Sequence, residues 1–383
     1  MRQMTRWMTV VWLPLWLAFL VGCPAGSPPA TNGGTGTGAA TNKETGGNAG
    51  VKRVIFLNNT DSPFWDACRA GLFEGEKEFD LPSAKLKVAW ESNNGTAQGQ
   101  IEKLRQFGSQ SDIAAIAISV IQADNVAIID EMKNLQKKGV KIITVDGDVN
   151  RVTFPDARPV YIGTDNVVGG RVLGTAAKEL LKAKGIEKGG YVQFAGFTDN
   201  DNARSRMDGV KEAMGEGFVE KDRMPDETDR TKARDNVRNA LNHEGLVSLF
   251  GIWSYNAPAI AEVVTEKKVR DKLIVATFDA EAGAIEDMTN GKIDVMVVQD
   301  PYGMGREAAR LLKAMVTGDD ATVKEMVPKL GEKDGDIFTT GLKVVIPDKD
   351  SPLKAEMFDP KVVNFMTLSQ FKDWLKKYDL SSL

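Results

Sequence analysis

The chain has 383 residues, of which 42% are hydrophobic, and a formal net charge of -4 at pH 7. This composition is typical of a globular protein with two or three domains, and it excludes a disordered or collagen-like chain. The near-neutral charge gives no indication of a nucleic-acid partner. With one His and two Cys, the chain cannot form a Cys/His zinc site, so neither a metal nor a cofactor is predicted.

The first 23 residues predict export. Arg2 and Arg6 precede an apolar run over residues 10–20. Because a membrane-spanning helix needs about 20 apolar residues, this shorter run is typical of a signal peptide. It ends in Leu20-Val21-Gly22-Cys23, which resembles a bacterial lipobox, and the resemblance implies lipid attachment at Cys23. An ordinary signal peptide with an incidental Cys, or an uncleaved anchor, is the alternative.

The segment that follows supports the lipid anchor. Residues 24–50 are dominated by Gly, Thr, Asn and Ala, which cannot bury apolar surface and therefore predict a flexible tether. The expected location is the periplasm or the cell surface, with the protein anchored to a membrane through lipidated Cys23. Cys68 then has no partner and lies on the apolar face of a predicted helix, so we expect a buried, inert thiol.

Beyond residue 50, short apolar runs alternate with segments of helical periodicity. Strands are predicted at 54–57, 86–90, 113–118, 141–145, 160–163, 190–195, 246–251, 273–278 and 293–298. Helices are predicted at 64–79, 97–108, 166–183, 202–215, 232–243, 256–268, 281–290 and 303–316, with another between a possible cap at Asp124 and Gly139. Apolar strands separated by helices indicate parallel sheets that are covered on both faces. The fold class is therefore α/β, with two doubly wound parallel-sheet lobes joined by a hinge.

Ligands of such sheets bind beyond the carboxyl ends of the strands, where polar residues are frequent in this chain. These residues are Asn58, Asn59, Ser119, Asp146, Asp165, Asn166, Ser254, Asn256, Asp279, Gln299 and Asp300, together with Arg206 on a helix and the rings of Phe64, Trp65, Phe197 and Trp253. Carboxylates, amides, a guanidinium and flat apolar rings suit a polyhydroxylated ligand. Each of these residues also has a structural interpretation. Taken singly, Asp146 is typical of a turn, Asp279 and Asn256 are typical of helix caps, and Phe64 and Trp65 are typical of an apolar core.

An ordered series of motifs resembles the bacterial periplasmic sugar-binding proteins of the ribose-binding type. The motifs are Ser62-Pro63-Phe64-Trp65, Ile143-Thr144-Val145-Asp146, Gly163-Thr164-Asp165-Asn166, Ala203-Arg204-Ser205-Arg206, Ala276-Thr277-Phe278-Asp279 and Val297-Val298-Gln299-Asp300-Pro301. The resemblance implies a type I periplasmic binding fold and the substrate-binding lipoprotein of an ABC transporter. Such a protein captures a small sugar, here expected to be a monosaccharide, and passes it to a membrane permease.

The same resemblance assigns site residues. Phe64 and Trp65 would stack on the sugar, whereas the residues that would hydrogen-bond its hydroxyl groups are Asp146, Arg206, Asp279 and Gln299. Ser254 occupies the position of an amide contact, with Trp253 and Asn256 beside it, and no catalytic residue is implied. The pairs Asp165-Asn166 and Gln299-Asp300 would lie near chain crossings between the lobes. The chain departs from the family pattern at Ser62, Gly147, Thr228, Ser254 and Ser119, which leaves the identity of the ligand open.

The resemblance also divides the chain. The predicted segments are a signal peptide (1–22), a lipidated Cys and linker (23–50), a first lobe (51–163 plus 301–335), a second lobe (164–300 plus 336–350) and an extension (351–383). In the extension, Met366 to Leu380 predicts an amphipathic helix whose anchors are Phe371, Trp374 and Leu375. This helix either packs on a lobe or forms a surface for a partner.

Other functions share parts of this pattern. An enzyme would need a catalytic motif, and the chain has no G-x-S-x-G, P-loop or H-E-x-x-H sequence. A sugar-responsive transcription regulator would need a helix-turn-helix at the N-terminus. A sensor that presents its ligand to a chemoreceptor or membrane kinase stays open. A polyol, a signalling furanose or an amino acid also stays open as ligand, the last with Arg206 and Asp279 as its charge partners.

Overall fold

The computed structural model describes residues 50–332 and 335–383. The predicted signal peptide, Cys23 and all of the linker except Gly50 lie outside the described residues. In chain order the strands are β1 (Lys52–Leu57), β2 (Leu86–Glu91), β3 (Ile113–Ile118), β4 (Lys141–Val145), β5 (Tyr161–Gly163), β6 (Gly189–Ala195), β7 (Phe218–Pro225), β8 (Leu246–Gly251), β9 (Ile274–Phe278), β10 (Val295–Val298), β11 (Ile337–Thr339), β12 (Leu342–Ile346) and β13 (Val363–Thr367).

Helices alternate with these strands. They are α1 (Pro63–Glu78), α2 (Ala97–Gly108), α3 (Val126–Lys137), α4 (Asn166–Ala183), α5 (Asp201–Met214), α6 (Arg230–Ala240), α7 (Asn256–Glu266), α8 (Ala282–Thr289), α9 (Pro301–Thr317), α10 (Asp320–Met326) and α11 (Leu368–Lys377). Asn125 rather than Asp124 caps α3, because the Asn125 side chain accepts from the amides of Ala127 and Ile128, whereas Asp124 accepts from Asn150. Among the described residues, no helix combines the length and the apolar character needed to cross a bilayer.

Two sheets organise the chain, and they confirm the predicted α/β fold of two lobes. The first sheet has the order β11-β5-β4-β3-β1-β2, and all its strand pairs are parallel. The second has the order β13-β12-β10-β9-β8-β6-β7, and only its β10–β12 pair is antiparallel. Strands such as β3, in which every residue is buried, form continuous apolar runs because helices cover both faces of a parallel sheet.

Over the residues that the structure describes, the chain crosses between the sheets three times. It leaves the first sheet after β5, returns through the β10–α9 connection, and leaves again between β11 and β12. The sequence placed the third crossing at residues 335–336, but β11 pairs with β5, so residues 337–339 belong to the first sheet. This strand was missed because three residues are too few to give a periodic pattern.

Glycines allow one helix pair in each lobe to approach closely. In the first lobe, a Cβ on Gly71 of α1 would lie 1.9 Å from the carbonyl oxygen of Tyr302 in α9. In the second lobe, a Cβ on Gly170 of α4 would lie 2.0 Å from the carbonyl oxygen of Arg206 in α5. Any side chain at either glycine would separate the helices, so Gly170 sets the position of the backbone that carries Arg206.

The extension adds a strand and a helix to the second lobe. Its β13 pairs in parallel with β12 over five residues, so Met366 and Thr367 belong to a strand and not to the predicted helix. The helix begins at Leu368 because Thr367 and Gln370 form a capping box. Phe371 and Leu375 are buried in the core of the second lobe, as expected if the apolar stripe packs on a lobe. Trp374 contacts Tyr302 of α9 at 6.2 Å between ring centroids.

Candidate functional site

A buried polar network lies at the carboxyl ends of β9 and β10. Arg206, Asp279 and Gln299 are each less than 10% exposed. The Gln299 side chain donates to Oδ2 of Asp279 at 3.0 Å, and its backbone amide donates to Oδ1 at 3.2 Å. Nη1 of Arg206 lies 3.8 Å from Oδ2 of Asp279. Three residues that the sequence proposed separately therefore form one connected group.

Neighbouring elements hold the Arg206 side chain on several sides. Its Nε donates to Oδ1 of Asn166 at the start of α4 at 3.0 Å. Its Nη1 donates to the carbonyl oxygen of Ile252, after β8, at 3.2 Å. The guanidinium also lies 4.5 Å from the ring centroid of Phe278, where the face of the ring attracts a cation. These contacts fix the plane of the guanidinium before any ligand arrives.

The backbone places the two principal carboxylates in similar positions in the two lobes. Asp146 follows β4 with a φ of 61°, and Asp279 follows β9 with a φ of 59°. Positive φ is uncommon for residues other than glycine and costs conformational free energy, although Asp tolerates it better than most. Each carboxylate is thereby directed away from its strand, beyond the end of its sheet.

The two carboxylates differ in their hydrogen-bond partners. The hydrogen bonds from Gln299 and the charge of Arg206 lower the pKa of Asp279, but burial outweighs them and the pKa is raised overall. The half-buried Asp146 side chain has no hydrogen-bond donor and no ion-pair partner among the described residues. Burial raises its pKa from 3.8 to about 6, which the charge of Arg206 opposes and that of Asp279 reinforces. The charges of the second lobe thus act on the carboxylate of the first.

A hydrogen-bonded chain fixes the turn that carries Asp146. The indole Nε1 of Trp65 donates to Asn59 at 3.0 Å, and Asn59 donates to the hydroxyl of Ser119 at 3.1 Å. The same hydroxyl accepts from the amide of Gly147 at 3.1 Å. A Cβ on Gly147 would lie 2.6 Å from the carbonyl oxygen of Val120. The position after Asp146 therefore has no room for a side chain.

Two of the crossings are joined at the site. The hydroxyl of Thr164, after β5, donates to Oε1 of Gln299 at 2.9 Å. Asp165 caps α4 through the amide of Val168, and Asp300 caps α9 through the amide of Gly303. Because Gln299 bonds both Thr164 and Asp279, it couples the connection between the lobes to the polar network.

The three candidates after β8 have different environments. Asn256 is 1% exposed, and its amide is fully engaged: Nδ2 donates to Asp226 at 2.8 Å, and Oδ1 accepts from the amide of Trp253 at 3.1 Å. This arrangement shapes the loop between β8 and α7. Trp253 is half-buried and donates to Asn202 at 3.0 Å. Ser254 is half-buried, and its hydroxyl has no hydrogen-bond partner among the described residues.

The two aromatic candidates of the first lobe also differ. Trp65 is 4% exposed and belongs to the apolar core with Phe56 and Trp90. Phe64 is half-buried and meets the Trp65 ring edge-on, with 5.0 Å between centroids. Of the two, Phe64 has the ring surface available to a ligand, whereas Trp65 supports it from behind.

Sequence reasoning did not single out Tyr161, Thr164 and Asp226. The Tyr161 hydroxyl donates to the backbone oxygen of Asp146 at 3.1 Å. Asp226 is fully buried and accepts from Tyr255, Asn256 and the amide of Thr228. The only sequence signal for Asp226 was its place after β7, and this strand was itself missed because its charged, edge-strand sequence lacks an apolar run.

The arrangement is that of a site for a polar organic ligand. It provides fixed donors from a guanidinium and amides, acceptors from two carboxylates and a hydroxyl group, and an accessible ring. The carboxylates and the Gln299 amide follow strand ends, whereas Arg206 lies in α5 and Phe64 in α1.

Comparison with known proteins agrees with this architecture. A family model described as a periplasmic binding protein domain matches residues 53–320. No curated protein sequence matches the chain significantly. Among solved structures, an ABC transporter solute-binding protein from Burkholderia graminis in complex with D-arabinose is 23% identical, with a TM-score of 0.64, and the match covers 79% of this chain and 98% of that one.

Two further structures are similar to a comparable degree. A glucose–galactose binding protein from Geobacillus stearothermophilus is 21% identical, with a TM-score of 0.63 and coverage of 79% and 99%. A periplasmic solute-binding protein from Actinobacillus succinogenes with bound D-allose is 18% identical, with a TM-score of 0.64 and coverage of 77% and 97%. At these identities the likeness establishes a shared fold.

Proposed function

The chain belongs to the periplasmic binding protein family, and on that premise we propose that it is an extracytoplasmic protein that captures a small sugar between its lobes and delivers it to an ABC transporter permease. The observation that carries the proposal is the buried Arg206–Asp279–Gln299 network beside Asp146. The sugars named for the structural neighbours, arabinose, allose, glucose and galactose, support the class of ligand. The role is binding and release, with no catalytic residue.

The chemistry of the site favours hydroxyl-rich ligands. A sugar hydroxyl group can both donate and accept a hydrogen bond, so one hydroxyl can donate to Asp279 while it accepts from Arg206. Hydrogen bonds to charged groups contribute about 1.5–3 kcal/mol each. The apolar C–H face of a small ring fits against the half-buried Phe64. We assign ligand contacts to Phe64, Asp146, Arg206, Asp279 and Gln299, with Trp253 and Ser254 at the rim.

Trp65 and Asn256 have supporting roles in this proposal. The indole of Trp65 is committed to Asn59, and the amide of Asn256 is committed to Asp226 and Trp253. Both residues hold the segments that present Asp146 and Ser254. Loss of either side chain would therefore alter binding through its neighbours.

Transport follows from closure of the lobes about the crossings. Contacts from both lobes are completed only when the lobes close, so the ligand stabilises the closed form by its differential affinity for it. The closed form then presents a surface made by both lobes to the permease. The hydrogen bond from Thr164 to Gln299, which we assign as a ligand contact, supports a coupling between ligand binding and closure.

The first experiment is thermal unfolding of the full-length protein against a panel of pentoses, hexoses, amino sugars, polyols and amino acids. A ligand at about 100 times its Kd stabilises the folded state by about 2.7 kcal/mol and raises the Tm by several degrees. A shift with one or a few sugars supports the proposal. A shift with an amino acid alone, or with no member of the panel, contradicts it.

We also propose that lipid attachment at Cys23 anchors the protein to a membrane. The support is the sequence Leu20-Val21-Gly22-Cys23 and the tether that follows it. Fractionation of cells that produce Cys23→Ser should recover the protein in the soluble fraction, and Cys68→Ser is the matched control. If Cys23→Ser is processed normally and still sediments with membranes, the anchor lies elsewhere.

A further inference from the structure

The charges at the site do not balance. The charge of Asp279 acts on Asp146, and Arg206 is the cation that acts on both carboxylates. Arg206 is already committed, because Nη1 contacts both Asp279 and the carbonyl oxygen of Ile252, and Nε is bonded to Asn166. The group therefore carries one uncompensated negative charge, and that charge resides on Asp146.

Among the described residues, no cationic side chain forms an ion pair with Asp146. The neighbouring Arg158 is buried and bonded to Asp148 and Asp336. The next position in the chain, Gly147, packs against the carbonyl oxygen of Val120 and has no room for a side chain. The Tyr161 hydroxyl donates to the backbone oxygens of Asp146 and Thr164, and not to the Asp146 carboxylate. The carboxylate is half-buried, fixed in direction by its positive φ, and without a donor among the described residues.

We propose that the ligand itself supplies the missing positive charge, and that the protein binds an amino sugar whose protonated amine contacts Asp146. This inference rests on the proposed function and specifies its substrate class. An ammonium offers three donors to a carboxylate that lacks any, and charge-assisted bonds of this kind are the stronger ones. A desolvated carboxylate without a partner is costly, so the site gains most from a cation at this position.

The same charge count disfavours an α-amino acid. Its carboxylate would join Asp146 and Asp279 around Arg206 alone, so the uncompensated negative charge would remain after its ammonium had bound. An amino sugar leaves the site neutral, and its hydroxyl groups can bind to Arg206, Asp279 and Gln299 without adding an anion. The hydroxyl-binding and amine-binding functions then fall on the second and the first lobe respectively.

Isothermal titration of the full-length protein at neutral pH tests the inference with matched ligands. D-glucose, D-galactose and D-mannose are each compared with their 2-amino-2-deoxy derivative and its N-acetyl form, and D-glucose also with its 3-amino and 6-amino derivatives. We expect at least one amine to bind tenfold or more tightly than both its parent sugar and its N-acetyl form. The N-acetyl form keeps the nitrogen but lacks the charge, so the difference in affinity between the two forms measures the contribution of the ammonium charge.

The variant Asp146→Asn then assigns the preference to a residue. It should reduce the advantage of the amine over the parent sugar to less than threefold. Asp156→Asn is the control, because it removes the same charge from an exposed position of the same lobe and should retain the tenfold advantage. If Asp146→Asn does not fold, the comparison of amine with N-acetyl sugar in the unmodified protein still tests whether the protein prefers a positively charged ligand.

Each outcome has a distinct meaning. Neutral sugars that bind as tightly as their amines overturn this inference and leave the proposed sugar-binding function intact. A preference for amines that persists in Asp146→Asn overturns the role of Asp146. If neither neutral nor amino sugars bind, the proposed function fails together with the inference.

Discussion

The two lobes present different surfaces to the space between them. In the second lobe, Arg206, Asp279 and Gln299 are bonded to one another and to the adjacent backbone. In the first lobe, the Asp146 carboxylate is held in position by its backbone but has no donor among the described residues. One surface is thus complete without a ligand, whereas the other acquires its partner on binding.

This difference in hydrogen bonding between the lobes shows how a two-lobed binding protein can separate affinity from selectivity. A preorganised network avoids the cost of ordering donors and acceptors when the ligand arrives. An unpaired carboxylate contributes little until a ligand with a suitable donor reaches it, and it then discriminates among ligands that bind the network equally well. Substitutions in each lobe test this division of roles.

The largest effect is expected when the cation of the second-lobe network is removed. Arg206→Ala leaves Asp279 buried without its charge partner, and breaking a buried pair in this way costs about 3 kcal/mol of unfolding free energy. We also expect sugar affinity to fall at least tenfold. Urea unfolding and calorimetry measure the two effects. Unchanged sugar affinity in a folded Arg206→Ala variant would remove Arg206 from the site.

The next largest effect concerns the residue that joins the network to the hinge. Gln299→Met keeps the volume but leaves Asp279 without its side-chain donor, which should lower the unfolding free energy by about 2 kcal/mol and weaken sugar binding. Thr164→Val is the matched variant, because it removes only the hydroxyl that donates to Gln299. If Thr164→Val weakens sugar binding as much as Gln299→Met, the bond between the crossings, and not the contact with Asp279, is the important one.

The pH dependence of stability tests the first lobe. The folded-state pKa of Asp146 lies near 6, above its ordinary value of 3.8, so its stabilising contribution is present below the lower value and lost as pH rises through the higher one. Arg206 and Asp279 are the charged groups that act on it, and its own charge raises the pKa values of Tyr161 and Cys68. Relative to Asp146→Asn, the unliganded protein should lose about 1–2 kcal/mol between about pH 4 and pH 7.

Urea unfolding of both proteins across this range gives the difference directly. The remaining titration, including that of Asp279, is common to both proteins and cancels to first order. Parallel stability curves would mean that Asp146 has an ordinary pKa and that its carboxylate is better solvated than its surroundings indicate.

The smallest effect is expected at the ring surface. Phe64→Leu removes a partly exposed ring that meets Trp65 edge-on, and such aromatic contacts contribute about 0.5–1.5 kcal/mol beyond area burial. We expect a threefold to tenfold loss of sugar affinity at this magnitude. Phe197→Leu, at a 44% exposed ring of the second lobe, is the comparison. Calorimetry that finds a larger loss for Phe197→Leu would place the stacking surface in the second lobe.

Much of the fold was predictable because its signals are local. Fully buried strands such as β3 and β9 form apolar runs, and the helices between them repeat apolar residues at helical spacing. Four strands were missed. Strand β7 is a charged edge strand, β11 has three residues, β12 has Lys343 within its short apolar run, and β13 adjoins an amphipathic helix. The capping box at Thr367 and Gln370 was a signal that could have fixed the helix start.

The candidate site was predictable as a set of positions but not as a set of contacts. The chain order shows that Asp279 and Gln299 follow strands and that Arg206 lies near the start of a helix. The chain order does not show that the Asn256 side chain is hydrogen-bonded to Asp226, 30 residues away, or that the Trp65 indole is hydrogen-bonded to Asn59. Pairing between residues distant in sequence depends on sheet order, which periodicity does not encode.

The α/β class, the two-lobed plan and the strand ends at which polar residues gather are all visible in the sequence, since each follows from the spacing of apolar residues along a short segment. The tertiary structure decided which of those polar residues are already paired. It pairs Arg206 with Asp279 and leaves the Asp146 carboxylate without a donor among the described residues. It also packs Gly147 against Val120, so the position after Asp146 has no room for a side chain. These outcomes depend on how closely separate segments approach, and that distance is set only when helices and sheets pack together.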